Sequence, residues 1–359
     1  MKKVFLFFIL ILLTSCNNYK QDQINICILN PLTESESKYG ISSYNAQKLA
    51  IKRINNQGGI NGKIINAKFK DDKSDPNLAK KIFKDNYKNT DFFIGGTTTN
   101  VAEVISHLSE KEKILFITPS ATGKEITKNK KYTLRLCYTN DYQGRILANY
   151  IDDNYKNKKI LALVNKSLNY SNEIVDSFNL NLKNNNSLET IYYEDTKDDF
   201  KILAIKIKKQ KPDFILIADY YQKLNLIIPK IREENVNSIF IGPDSWDGMI
   251  SKYQNELSDL DESIFSSHFS YFNSNKNVVD FTEEYEKEYG EKPDSFAALG
   301  YDSIYCIKEI LENDHKEVEF EGVSGYIKTN GYGDAKKSAN IIKIKNSNYY
   351  LLKDKKAAW

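Results

Sequence analysis

A chain of 359 residues is long enough for two domains with cores of their own, and at 41% hydrophobic and 28% charged it has a globular protein's composition. Its 51 basic and 48 acidic side chains nearly cancel, leaving a formal net charge of +3. The lysines are scattered rather than gathered on one segment, which excludes the electrostatic footprint of a nucleic-acid binder.

The chain opens "MKKVFLFFILILLTSC", with Lys2 and Lys3 ahead of an apolar run from Val4 to Leu13. As a helix that run would span roughly 15 Å, half of a bilayer core, so residues 1–15 predict an export signal rather than a membrane span. Leu13-Thr14-Ser15-Cys16 resembles the lipobox of bacterial lipoproteins. The resemblance implies cleavage before Cys16, a lipid on its sulfur, and a short polar tether over 16–22 that holds the protein to a membrane outside the cytoplasm. The three other cysteines, Cys27, Cys137 and Cys306, lie in apolar contexts and read as small buried hydrophobes.

From Ile24 the pattern alternates. "INICILNPL" reads as a buried strand and "SSYNAQKLAIKRINNQ" as a helix that Gly58 and Gly59 stop. "KIINAKFKDD" is a strand. "SDPNLAKKIFKDNY" is a helix, capped by Ser74 or Asp75 with Pro76 in its first turn. "DFFIGG", "NVAEVISHLSEKEK" and "ILFITP" continue as strand, helix and strand, the signature of parallel βαβ units. After "LRLCYTNDYQG" the alternation restarts. Strands "KKILALVN", "LETIYYED", "DFILIAD", "SIFIGP" and "SIFSSHF" are separated by helices from about Ser171, Phe200, Gln222 and Met249. Two further helices follow, and the glycine-punctuated tail reads as antiparallel strands. The chain is therefore α/β, with two doubly wound, Rossmann-like domains.

Signatures of catalysis are missing. His107, His268 and His315 have no metal-ligand spacing, and there is no G-x-S-x-G elbow. "TPSATGK" has Thr118 where a phosphate loop needs glycine, and "IGGTTTN" lacks the dinucleotide spacing.

In doubly wound sheets ligands bind beyond the carboxyl ends of the strands. Those ends supply Thr97, Thr98 and Thr99 after "DFFIGG", and Ser120, Ala121 and Thr122 after "ILFITP". Both groups lead into helix-like segments, where free N–H groups and hydroxyls suit an anion, although threonine and serine at such places also serve as plain caps. The second domain offers Tyr170, Tyr220 and Tyr221, and "GPDSWDG" brings Asp244, Trp246 and Asp247. Anion donors on one side and a carboxylate among aromatics on the other have the polarity to grip an amino acid by both charged ends.

"YGISSYNAQKLAIKRINNQGGINGKIINAKFKDDKSDP", "IGGTTTNVA", "ITPSAT", "GPDSWDG" and "EKPDSFAALGYDSIY" resemble the branched-chain amino-acid-binding proteins of bacterial ABC importers, with the type I periplasmic binding protein fold. The resemblance implies two lobes joined by a three-segment hinge, lobe one being 23–139 with 269–335 and lobe two 140–268 with 336–359. It implies that Thr99, Ser120, Ala121 and Thr122 hold the ligand carboxylate and that Asp244 pairs with its ammonium. Tyr39, Thr97, Thr98, Tyr170, Tyr220, Trp246 and Phe296 would line the side-chain pocket. It implies leucine, isoleucine or valine as ligand, a membrane permease as partner, no cofactor, no metal and a monomer. Thr97 and Thr98 depart from the aliphatic and small residues of well-known leucine binders, and an unpaired hydroxyl there disfavours a purely aliphatic side chain. Three other readings stay open. One is a sensor subunit of the same fold, and a second is a binder of another small amino acid or amide. The third is an amidase- or esterase-type enzyme, for which His268 near Ser266 and Ser267 is the candidate pair.

Overall fold

A computed structural model describes residues 22–194, 199–247, 257–313, 317–329 and 333–355. The expected export signal, Cys16, most of the tether and the helix expected from Met249 lie outside these residues.

The first half builds strands β1 (Gln23–Asn30), β2 (Ile64–Asp71), β3 (Phe92–Gly95), β4 (Leu115–Thr118) and β5 (Thr133–Arg135). Between them run helices α1 (Ser37–Asn56), α2 (Pro76–Asn86) and α3 (Thr99–Glu112). Asp75, not Ser74, caps α2, accepting from the Asn77 N–H at 2.8 Å with Pro76 in the first turn. The strands pair in parallel in the order β5-β4-β3-β1-β2. Strand order reverses between β1 and β3, which opens a crevice at their carboxyl ends. The end of β3 turns sharply there. Gly95 has φ +129, and a Cβ on it would stand 1.9 Å from the Leu29 carbonyl oxygen, so only glycine fits.

The second half repeats the plan. Helices α4 (Asn140–Asn154), α5 (Asn169–Asn181), α6 (Phe200–Gln210) and α7 (Tyr221–Glu233) alternate with β6 (Lys159–Asn165), β7 (Ser187–Tyr193), β8 (Phe214–Ile217), β9 (Ile239–Gly242) and β10 (Ile264–Ser267). These strands are parallel in the order β10-β9-β8-β6-β7, with the reversal between β6 and β8.

The chain then returns to the first sheet. Helices α8 (Lys276–Tyr289) and α9 (Ser295–Asn313) share a buried cluster with β1, α1 and β5 that includes Ile28, Leu49, Leu134, Phe281 and Ile304. After them come the hairpin β11 (Glu319–Gly322) and β12 (Gly325–Lys328), then β13 (Gly333–Asp334). The tail departs from its expected form at one place. β13 is not antiparallel but pairs in parallel with β5 at the edge of the first sheet. β14 (Ala339–Lys345) and β15 (Asn348–Lys355) are antiparallel as expected, and join the second sheet beside β10. The chain thus passes between the sheets three times, after β5, after β10 and after β13. Cys27, Cys137 and Cys306 are buried free thiols. Burial pushes the Cys27 thiol up to about 12 and the other two higher still, which makes all three inert hydrophobes.

Candidate functional site

The carboxyl ends of the two sheets face each other across a small cavity of about 20 Å³. That is room for little more than a water molecule, so the cleft is closed in this conformation. From the first sheet it is lined by Thr97, Thr98, Thr99, Ser120, Ala121 and Thr122, with Tyr39 from α1 and Phe296 from α9. From the second come Tyr170, Tyr220, Asp244 and Ser245.

The first side is built to donate. Thr98 occupies the cap position of α3 with extended backbone (φ −100, ψ 150), yet its side chain makes no capping bond. The capping role that threonine could play is unused here. The loop beyond β4 is held from beneath by Arg135, which is completely buried. Its guanidinium donates to the carbonyls of Gly123 at 2.7 Å and Ala121 at 3.4 Å, to the Thr127 hydroxyl at 2.8 Å, and to Asp334 Oδ1 at 2.7 and 2.9 Å. Cys137 Sγ also reaches the Ala121 carbonyl, at 3.3 Å. A trans peptide points its N–H opposite its carbonyl. Drawing the Ala121 carbonyl toward Arg135 therefore turns the Thr122 N–H away from Arg135, toward the cavity that Thr122 lines. An α-carboxylate there would meet that N–H together with the hydroxyls of Thr99 and Thr122, while the Ser120 hydroxyl is committed to the Thr97 carbonyl at 3.3 Å.

The second side is built around Asp244, which is 3% exposed. Tyr170 donates its hydroxyl to Oδ1 at 2.6 Å, and Nε2 of His268 lies 3.0 Å from Oδ2. Burial pushes the His268 imidazole below its ordinary value, against the opposing pull of Asp244. The ring is therefore neutral at pH 7, with its proton on Nε2 toward the carboxylate. Nδ1 is buried without a partner among the described residues, and the ring stacks on Tyr138 at 3.6 Å. The Asp244 N–H donates to Gln143 Oε1 at 3.1 Å. Each Asp244 oxygen takes one neutral donor and keeps lone-pair capacity for an ammonium. Tyr170 stacks on Tyr220 at 5.4 Å to form one wall.

Tyr39 ties the two sides together. Its hydroxyl donates to the Ser245 carbonyl at 2.7 Å and accepts from the Tyr221 N–H at 3.0 Å. Its ring stacks on Phe296 at 4.3 Å and meets Tyr221 edge-on at 5.0 Å. The Tyr221 hydroxyl crosses in the other direction to the Ser35 carbonyl, at 2.9 Å.

The structure brings together every residue expected at the cavity except Trp246, which needs a correction. Its ring is completely buried, and Nε1 donates to the Ile217 carbonyl at 3.1 Å. It lies against Gly242, where a Cβ would come within 2.1 Å of the indole. Trp246 fills the core beneath the site; Ser245 is the wall residue. Asp247 is also structural, accepting from the Ser267 hydroxyl at 2.6 Å and from the first N–H of α9 at 3.2 Å. Sequence reasoning did not place Ser245, Gln143 or Arg135 in or behind the site, and it offered His268 only as part of a candidate catalytic pair. The nucleophile–base pair required by an amidase or esterase is not formed. Ser266 donates to Gln143 and Ser267 to Asp247, while the imidazole faces a carboxylate.

Known proteins share this architecture. A Leu/Ile/Val-binding protein of Rhizobium johnstonii is 29% identical over 228 residues, 62% of this chain and 61% of that relative. The aligned part is thus about six tenths of that relative's length. A Leu/Ile/Val-binding protein homolog of Brucella melitensis is 28% identical over 80% of this chain and 79% of its own. Among solved structures, a branched-chain amino acid transporter substrate-binding protein from Streptococcus pneumoniae, in complex with isoleucine, superimposes with a TM-score of 0.83. It is 24% identical, and the match covers 93% of this chain and 99% of that one. Residues 23–340, nearly the whole described chain, match the family described as periplasmic binding proteins, and with two largely parallel sheets facing across a cleft the protein belongs to that family.

Proposed function

We propose that this chain is the solute-binding component of an ABC importer and captures a free α-amino acid between its two lobes. The observation that carries the reading is the polarity of the cavity: backbone and hydroxyl donors on one wall, the buried Asp244 carboxylate on the other. Leucine, isoleucine and valine are the ligands named for the relatives, and they head the panel to be tested. The lobes are 23–139 with 269–335, and 140–268 with 336–359. They act as a hinged trap in which a ligand touching both favours the closed form. Thr99, Ser120 and Thr122 take the carboxylate first; closure brings Asp244 to the ammonium and Tyr39 onto Ser245. The mature chain is a monomer held outside the cytoplasm by lipid on Cys16, and it hands its cargo to a membrane permease.

The test is calorimetric titration of protein that has been unfolded and refolded to strip retained ligand, using the twenty amino acids. Tight binding is expected, and Asp244→Ala should weaken it by about 2–5 kcal/mol, since it leaves a buried ammonium unpaired. Unchanged affinity in Asp244→Ala would overturn the assigned polarity. A sensor subunit would bind the same ligand; capture by a permease rather than a receptor separates the two.

A further inference from the structure

His268 follows β10, at the second passage of the chain between the sheets, and its side chain is buried. Three other segments close on the ring. Asp244, in the turn after β9, has Oδ2 3.0 Å from Nε2. Tyr138, from the first passage, stacks on the ring at 3.6 Å. Lys337, just past β13 at the third passage, is buried too, and its charge opposes a second one on the imidazole. Its Nζ donates to the Ser324 carbonyl and hydroxyl, both at 2.7 Å, and Asp302 supports its charge. Burial raises the phenols of Tyr138 and Tyr170 and the thiol of Cys137, so these neighbours stay neutral.

The protonation state of the ring decides what Asp244 can do. A neutral imidazole gives Oδ2 a hydrogen bond without a charge, and the carboxylate keeps its charge for the cleft. An imidazolium would pair with Asp244 from behind and cancel that charge. Its second proton would sit on Nδ1, which is buried and has no acceptor among the described residues. A proton on the ring and an ammonium in the cleft are therefore rivals for one carboxylate. By linkage, each weakens the other to the same degree.

Resting on the reading of Asp244 as the ammonium grip, we propose that His268 is its positioning residue: the neutral ring holds Oδ2 in place, and a proton on the ring competes with the ligand ammonium for the carboxylate. Capture then requires a neutral ring, and acid favours release. Affinity is full above the titration midpoint of the ring in the free protein and falls as the pH drops through it. Burial holds the ring below its ordinary value of 6.5, which puts the loss on the acid side of neutrality.

The probe is whichever of the twenty amino acids binds the refolded full chain most tightly, with leucine tried first. Between about pH 7.5 and pH 4.5, calorimetry should show wild-type affinity falling at least tenfold. His268→Gln, whose amide nitrogen can reach the place of Nε2 and takes up no proton, should bind within about threefold of wild type at the higher pH and lose most of the pH dependence. His268→Leu, with no donor, should bind at least about tenfold more weakly there, with the ligand-free melting temperature of His268→Gln. A His268→Gln curve that follows the wild type would overturn the competition and leave the grip standing. Wild-type affinity in His268→Leu, or a melting temperature that falls in step with affinity, would overturn the positioning role. A further readout leaves His268 intact. Of the three imidazoles in the chain, one should titrate at lower pH in nitrogen-15 spectra when the amino acid is saturating, and this signal should persist in His107→Gln and His315→Gln. Midpoints that do not move would overturn the proposal. Silence across all twenty amino acids would remove the grip, and the proposal with it.

Discussion

Tyr39→Phe isolates the energetics of closure. The substitution keeps the ring on Phe296 and removes only the hydroxyl, which joins the Ser245 carbonyl to the Tyr221 N–H. In the closed form both backbone groups then lose this buried partner; when the lobes part, both meet water in either protein. The cost therefore falls on one state. An orphaned buried group costs about 1–3 kcal/mol, and for the pair, after allowing for the hydration of the tyrosine hydroxyl in the open form, about 2 kcal/mol is a fair figure. Apparent affinity scales with the fraction of closed protein, so the dissociation constant should rise by up to roughly 30-fold, the full factor applying where the open form predominates without ligand.

The assay has three readouts on the same protein. Calorimetry gives the affinity, small-angle scattering gives the balance of open and closed forms, and the ligand-free melting temperature reports on the fold. The expected pattern is weaker binding, a shift toward the open form, and a melting temperature that hardly moves. Affinity within about threefold of wild type, at 1.4 kcal/mol per decade, would refute the latch. So would a melting temperature that falls in step with affinity, since Tyr39 would then be an ordinary core residue.

Two further outcomes follow from groups outside the cavity. Asp72 is completely buried; its Oδ1 accepts the Ser74 N–H at 2.9 Å, while Oδ2 has no partner among the described residues. Burial, aided by Asp71 and Glu36, raises its carboxyl from 3.8 to about 7. The folded state therefore holds this proton more tightly than the unfolded chain. The stabilisation is full below the unfolded value and is lost as the pH rises through about 7, a loss of about 4 kcal/mol at most. Asp72→Asn should thus be more stable than wild type at pH 8 and similar to it at pH 3.5, as denaturant titrations at the two values would show; equal curves at pH 8 would refute the burial argument. Cys16→Ala should move the protein from the membrane fraction to the soluble extracytoplasmic fraction, and an unchanged distribution would rule out the lipid anchor.

Much of this architecture is legible in the sequence because it is local. Period-two and period-3.6 patterns mark each strand and helix, and strand ends point to the donors of Thr97–Thr99 and Ser120–Thr122 without knowledge of what lies opposite. The features that stayed hidden depend on partners far along the chain. Gln143 reaches Asp244 across 101 positions, and Arg135 reaches Asp334 across 199. Trp246 was misplaced for a related reason. An aromatic in "GPDSWDG" looks like a pocket wall, but the short 3₁₀ turn Asp244–Trp246 puts Asp244 and Ser245 at the cavity and sends the indole under Gly242. The parallel pairing of β13 was equally out of reach, since a two-residue strand has no period to read.

The hidden residues share a position. Arg135 ends β5 at the first passage between the sheets, His268 follows β10 at the second, and Asp334 ends β13 at the third. Arg135 and Asp334 fix the loop beyond β4, which on the proposed reading would offer N–H groups to a carboxylate, and His268 holds one oxygen of Asp244. A hinge rotation displaces atoms in proportion to their distance from its axis, so groups anchored at the three passages move least. On the proposed reading both charged grips are braced where the chain turns over, while Tyr39, carried on the long helix α1, bonds the Ser245 carbonyl and the Tyr221 N–H across the cleft, the contacts that closure would make and break. Such a division would let the grips keep their geometry as the lobes move, so that the free energy of closing would be set by the latch and by whatever fills the cleft.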